Sequence, residues 1–134
     1  MARIYLEIVT PDRVLVRDEV DIVEAPGTLG EFGVLPGHIQ FFTTLEIGEI
    51  RYQKDGKTRY IACGGGFAEV YGDRVTMLLD VGECAEDIDI ERAKRAEARA
   101  REALKDIPLD SKEYKLLEAA LLRAITRISV AQKA

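Results

Sequence analysis

Residues 82–93 read Gly82-Glu83-Cys84-Ala85-Glu86-Asp87-Ile88-Asp89-Ile90-Glu91-Arg92-Ala93, and the chain changes character across them. All 11 glycines lie between Gly27 and Gly82, whereas 11 of the 15 alanines lie from Ala85 onward. Residues 1–84 hold 14 acidic and 8 basic side chains, a net of −6; residues 85–134 hold 10 and 11, a net of +1. A Gly-rich acidic segment thus gives way to an Ala-rich, charge-dense one. The boundary is predicted near residues 84–88, dividing the chain into segments 1–85 and 86–134.

Upstream of the boundary the pattern is that of strands. Ile4, Leu6 and Ile8 alternate with Arg3, Tyr5, Glu7 and Val9. A period of two turns one face inward and one toward solvent. Thr10-Pro11-Asp12-Arg13 is a turn. Val14–Val16 and Val20–Ala25 are the next strands, the second closed by Pro26-Gly27. Asp55-Gly56 and Gly72-Asp73 each separate two such runs, a hairpin signal because glycine supplies the positive φ of a tight turn. Short strands without a helical period between them predict an antiparallel β-sandwich or flattened barrel.

Downstream the period becomes helical. Asp89 is placed as an N-cap, with Ile88 and Ala93 as a hydrophobic staple. Ala93, Ala96, Ala100, Ala103 and Ile107 recur at spacings of 3 and 4, a stripe of mostly small side chains. Pro108 interrupts the helix. Asp110 with Glu113 reads as the start of a second helix, whose stripe is Tyr114, Leu117, Leu121, Ala124, Ile128 and Ala131. The fold class expected is therefore α+β: an N-terminal antiparallel β-sandwich followed by a C-terminal antiparallel helix-turn-helix hairpin. The hairpin is too poor in large apolar side chains to stand alone and must dock.

Composition excludes several functions. The 134-residue chain has a net charge of −5 and a pI near 5.0, without the basic footprint of a nucleic-acid binder. No apolar run approaches the roughly 18 residues that span a bilayer, so direct membrane insertion is not expected. The acidic Glu7 stands where a signal peptide would need its apolar core, which leads to the expectation of a cytosol-facing protein. Two cysteines, Cys63 and Cys84, without CxxC spacing, and one histidine argue against a zinc site.

No catalytic constellation emerges either. Gly64-Gly65-Gly66 is followed by a strand pattern rather than a helix, so it reads as a bulge or close backbone approach, not a phosphate loop. His38 has no nucleophile motif nearby. Glu83, Glu86, Asp87 and Asp89 fall where a linker becomes a helix cap. Arg123 and Arg127 are four apart on the second helix, and Arg92 and Arg99 seven apart on the first, so each pair shares a face. If the helices fold back together, these guanidiniums converge on a phosphate-binding arrangement. The plainer reading of the spacing is a solvated face paired with Glu91, Glu97, Glu102 and Glu118.

Several motifs together carry a resemblance. Gly30-Glu31-Phe32-Gly33-Val34-Leu35-Pro36-Gly37-His38 resembles the signature loop of the epsilon subunit of bacterial and chloroplast F-type ATP synthases. Ile8-Val9-Thr10-Pro11-Asp12, Gly65-Gly66-Phe67-Ala68-Glu69-Val70 and Asp87-Ile88-Asp89 with Arg92-Ala93 match that family in order along the whole chain. The resemblance implies a sandwich of about ten strands and a helical hairpin. It implies a non-catalytic central-rotor subunit that binds the gamma subunit and rests on the c-subunit ring. Its hairpin either lies on the sandwich or extends toward the alpha and beta catalytic subunits and inhibits hydrolysis. The implied location is the cytoplasmic face of the bacterial inner membrane, peripherally. Glu31, Phe32, Gly33 and His38 would face the c-ring. Ile88-Asp89-Ile90-Glu91-Arg92-Ala93 fits the ATP-binding motif of some bacterial members. That implies ATP as a regulatory ligand rather than a required cofactor, with Ile88, Asp89 and Ala93 near the adenine and Arg92, Arg99, Arg123 and Arg127 near the phosphates. A free-standing ATP-sensing module is the competing expectation, and an enzyme built on the sandwich a remote one.

Overall fold

The computed structural model describes residues 2–38 and 40–134. Eight strands, β1 (Ile4–Val9), β2 (Val14–Val20), β3 (Ile22–Gly27), β4 (Gly30–Val34), β5 (Phe41–Lys54), β6 (Lys57–Tyr71), β7 (Arg74–Leu79) and β8 (Gly82–Cys84), precede a 3-10 turn at Ala85–Asp87 and two helices, α1 (Ile90–Leu104) and α2 (Lys112–Ala131). The strands hydrogen-bond in the order β2-β1-β7-β6-β5-β3-β4, with β8 beside β6. The sheet curls so that β2 returns against β5, where Lys54 Nζ bonds both carboxylate oxygens of Asp18 at 2.7 and 2.8 Å. One pairing departs from the antiparallel expectation: β1 and β7 run parallel. Alternation alone carries no strand direction, so this pair is invisible in a period of two.

The alternation read from β1 holds: Ile4, Leu6 and Ile8 are buried. The Asp55-Gly56 turn also forms as read, with φ of 52° and 78° at its two residues. β5 and β6 are 14 and 15 residues long, and each behaves as two strands. Along β6 the inward residues are Ile61 and Cys63, then Ala68 and Val70, so the inward parity changes between them. The partner changes at the same place, from β8 at 61–63 to β7 at 66–71. The switch falls on Gly64–Gly66, where Gly65 and Gly66 have φ of 98° and 144°. A Cβ on Gly66 would lie 2.2 Å from the Leu78 carbonyl oxygen, so both the conformation and the close approach require glycine. In β5 the inward residues pass likewise from Leu45 to Ile50. Counting each long strand twice reconciles eight continuous strands with the ten expected.

The helices form an antiparallel pair. Asp89 caps α1 as read, its Oδ1 accepting from the Arg92 N–H at 3.1 Å. α1 ends at Leu104, before Ile107, whose N–H bonds the Leu104 carbonyl in the connecting turn. The cap of α2 is Ser111 rather than Asp110. Ser111 has extended backbone, ψ 154°, and its Oγ accepts from the Tyr114 N–H while donating to the Pro108 carbonyl. Ala93, Ala100 and Ala124 are buried. α1 packs chiefly on α2, and α2 packs on β5, β6 and the 3-10 turn. Docking rests on a small apolar cluster, Ala62, Ala85 and Val130 flanked by Tyr60 and Ile88, separate from the sandwich core.

Candidate functional site

A cavity of about 690 Å³ opens between the hairpin and the sandwich. Arg92 and Ala96 of α1 and Ala120, Arg123, Ala124 and Arg127 of α2 form one wall. Thr10, Asp12 and Arg13 of the β1–β2 turn and Asp80 to Glu83 around the start of β8 form the other. Small side chains on both helices leave the space open, while the arginines reach its edge. Arg127 Nε donates to Glu83 Oε1 at 2.6 Å, tying α2 to β8. Among the described residues, Arg13, Arg92 and Arg123 have no carboxylate within ion-pair distance. A guanidinium presents a planar fork of donors suited to phosphate or carboxylate oxygens. With Arg127 and Glu83 paired to each other, three arginines and two carboxylates, Asp12 and Asp80, line one open space of a size suited to a small ligand, leaving a small positive excess that favours an anion.

The expected ATP residues therefore divide. Arg92, Arg123 and Arg127 come together on the cavity wall. Arg99 is exposed and outside that wall. Seven residues at 1.5 Å each carry it about 10.5 Å along the axis from Arg92. Ile88, Asp89 and Ala93 are not part of the wall either. Ile88 packs beside Val130, the Asp89 carboxylate caps α1, and Ala93 is fully buried. Thr10, Asp12, Arg13 and Asp80 were not singled out from the sequence for this site. No local pattern links a turn between two strands to helices some 80 residues later.

Glu31, Phe32 and Gly33 lie in β4, paired with Pro26, Ala25 and Glu24 of β3, so this part of the signature is strand rather than loop tip. Phe32 packs against the sandwich core and meets Phe41 edge-on at 5.2 Å. His38 follows in the loop, exposed, its ring 5.4 Å from Phe41. Glu31 is exposed and bonds Arg51, which also holds Glu24 and Glu49 at 3.2 Å. Burial opposes the charge on Arg51, but hydrogen bonds with Glu24, Glu31 and Glu49 prevail and raise its pKa. Glu49 in turn receives Lys133, just beyond the end of α2, at 2.5 Å.

The cysteines are unpaired. Burial pushes the Cys63 thiol up to about 11, and burial with Asp87 and Glu86 nearby also raises that of Cys84. Among the described residues no helix is long and apolar enough to cross a membrane, and no cluster of His, Cys, Asp or Glu could hold a metal ion.

Comparison with known proteins gives the family. The family model described as ATP synthase, Delta/Epsilon chain, beta-sandwich domain matches residues 3–85, and that described as ATP synthase, Delta/Epsilon chain, long alpha-helix domain matches residues 86–132. The chain is 49% identical to an ATP synthase epsilon chain of Geotalea uraniireducens, covering 98% of this chain and 96% of the relative. It is 46% identical to one of Geobacter sulfurreducens, again covering 98% and 96%. A chain in the cryo-EM structure of Euglena gracilis mitochondrial ATP synthase, OSCP/F1/c-ring, shares the fold at a TM-score of 0.78 and 23% identity, covering 100% of this chain and 83% of that one. With both parts matched in order and nearly the full length aligned, the chain belongs to the epsilon-chain family of ATP synthase.

Proposed function

We propose that this epsilon-family chain is a non-catalytic subunit of the central rotor, anchored by its sandwich to the gamma subunit and the c-ring. In this reading the docked hairpin is the resting half of a switch. When it leaves the sandwich it reaches the alpha and beta subunits and restrains ATP hydrolysis, and ATP in the cavity keeps it docked.

The observation that carries this reading is the character of the hairpin–sandwich contact. Among the described residues it has one small apolar cluster, two ion pairs (Arg127–Glu83 and Lys133–Glu49) and an open cavity between the two bodies, lined by arginines and by acidic residues of the sandwich. Ion pairs at this exposure are worth roughly 0.2–1 kcal/mol each, and one buried Val about 1.5–3 kcal/mol. A contact of a few kcal/mol is within reach of a ligand that binds only the docked form, by mass action. On the sandwich, the rings of Phe42 and Phe67 meet at 5.5 Å, tilted by 37°, on the outer face, and Leu78 pairs with Phe67 across β6 and β7. These exposed apolar side chains support an anchoring face for gamma. Exposed Glu31 and His38 support contact with the c-ring.

The test is a pair of distance labels, one on α2 and one on the sandwich, read with and without ATP. ATP should shorten and narrow the distance distribution. In the assembled catalytic head, removing residues 88–134 should raise ATP hydrolysis without releasing the sandwich from gamma. A distance indifferent to saturating ATP removes the ligand-switch half of the reading. Hydrolysis by the isolated chain removes the non-catalytic half.

A further inference from the structure

The hairpin arginines form only one wall of the cavity; the opposite wall carries Arg13 beside Asp12, Asp80 and Glu83, of which Glu83 is already held by Arg127. Arg13 sits on the turn from Thr10 to Arg13, which the backbone closes with Thr10 N–H to Arg13 carbonyl at 2.9 Å. The Arg13 N–H also reaches Thr10 Oγ1 at 3.3 Å, so the backbone under the side chain is fixed. Arg13 is exposed and, among the described residues, forms no ion pair, and it lines the same space as Arg92, Arg123 and Arg127. Arg17, on the next strand, is by contrast bonded to Glu7 at 2.7 Å and lies outside the cavity.

We propose that Arg13 is the sandwich's own ligand for the phosphate groups bound by the hairpin arginines, so that a nucleoside triphosphate bridges the two bodies. This rests on the nucleotide reading above and adds the means by which the ligand holds the hairpin down. Contacts confined to α1 and α2 would stabilise the hairpin but not its docking. A polyphosphate held by Arg13 on one side and Arg92 and Arg123 on the other binds only when the hairpin lies on the sandwich. A monophosphate offers one phosphoryl group to share among these arginines where a triphosphate offers three, so the triphosphate is expected to bind more tightly.

The experiment is a titration of the full chain with ATP and with AMP, on the parent, Arg13→Ala and Arg17→Ala. Loss of one charge-assisted, two-pronged contact should weaken ATP about tenfold in Arg13→Ala. The preference for ATP over AMP should shrink by a similar factor, while Arg13→Lys recovers part of it. Arg17→Ala removes the same charge from the same domain and should bind as the parent does. Parent-like ATP affinity in Arg13→Ala overturns the role of Arg13 and leaves the nucleotide reading standing. Equal weakening in Arg13→Ala and Arg17→Ala also overturns it, because net charge alone then explains the effect. No saturable ATP binding by the parent overturns both.

Discussion

Leu6, Ile50 and Ile61 in the sandwich and Ala93, Ala100 and Ala124 in the hairpin are all buried, yet what surrounds them differs. The first three belong to one continuous core assembled from seven strands. The alanines bring two helix backbones close and contribute little apolar area of their own. Leu109, Leu116, Leu122 and Ile125 meanwhile remain exposed in the helical part. One half of the molecule is thus held by its interior, the other by a contact that solvent penetrates. The difference predicts separate stabilities for the two halves, with the hairpin expected to open before the sandwich unfolds.

Substitutions can break or sharpen that contrast. The largest effect is expected from Leu6→Ala, which empties a fully buried site and should cost about 2–5 kcal/mol in chemical denaturation followed by a sandwich probe. Val130→Ala comes next. It should loosen docking by about 2 kcal/mol, since the side chain is wholly buried in the small cluster. Amide exchange should rise in α1 and α2 while the sandwich midpoint stays put. A common fall in both would show a single cooperative unit and erase the contrast.

A smaller effect, about 0.5–1 kcal/mol of coupling, is expected from a double-mutant cycle on Arg127→Ala and Glu83→Ala, read by the same hairpin exchange. Additive single effects would remove this pair from the latch. The smallest concerns Asp18. The Lys54 hydrogen bond holds its carboxyl below the ordinary carboxylate range. A depressed folded-state pKa contributes stability that is present above the unfolded value of about 3.9 and is lost as pH falls through the folded one. The contribution should therefore be intact at neutral pH and fade in acid, and it should belong to the sandwich, where Asp18 joins β2 to β5. Asp18→Asn should flatten this slight acid sensitivity without changing hairpin exchange.

The sequence was most legible where a cause is local. The alternation of Ile4, Leu6 and Ile8, the Asp55-Gly56 turn and the Asp89 cap each follow from a few neighbouring residues. Asp110 and Ser111 are adjacent competent caps, and only the backbone at the start of α2 decides between them. The parallel β1–β7 pair, the Arg51 cluster and the contribution of Arg13 to the cavity join residues far apart in the chain, so no window of sequence contains them. Arg99 shows a different limit of the spacing: a shared helix face does not fix position along the axis, and Arg99 lies outside the cavity wall that Arg92 joins.

The glycines at 64–66 carry a consequence of another kind. A strand has a reading frame of two, inside and outside, and these residues shift it. Downstream, whether Ala68 and Val70 or Phe67 and Glu69 enter the core is set by residues that contribute no side chain to it. One residue inserted or lost there would leave composition, hydrophobicity and length nearly untouched while turning the second half of β6 inside out. The information that fills this part of the core is held in a count, and a comparison by residue type alone would miss its loss.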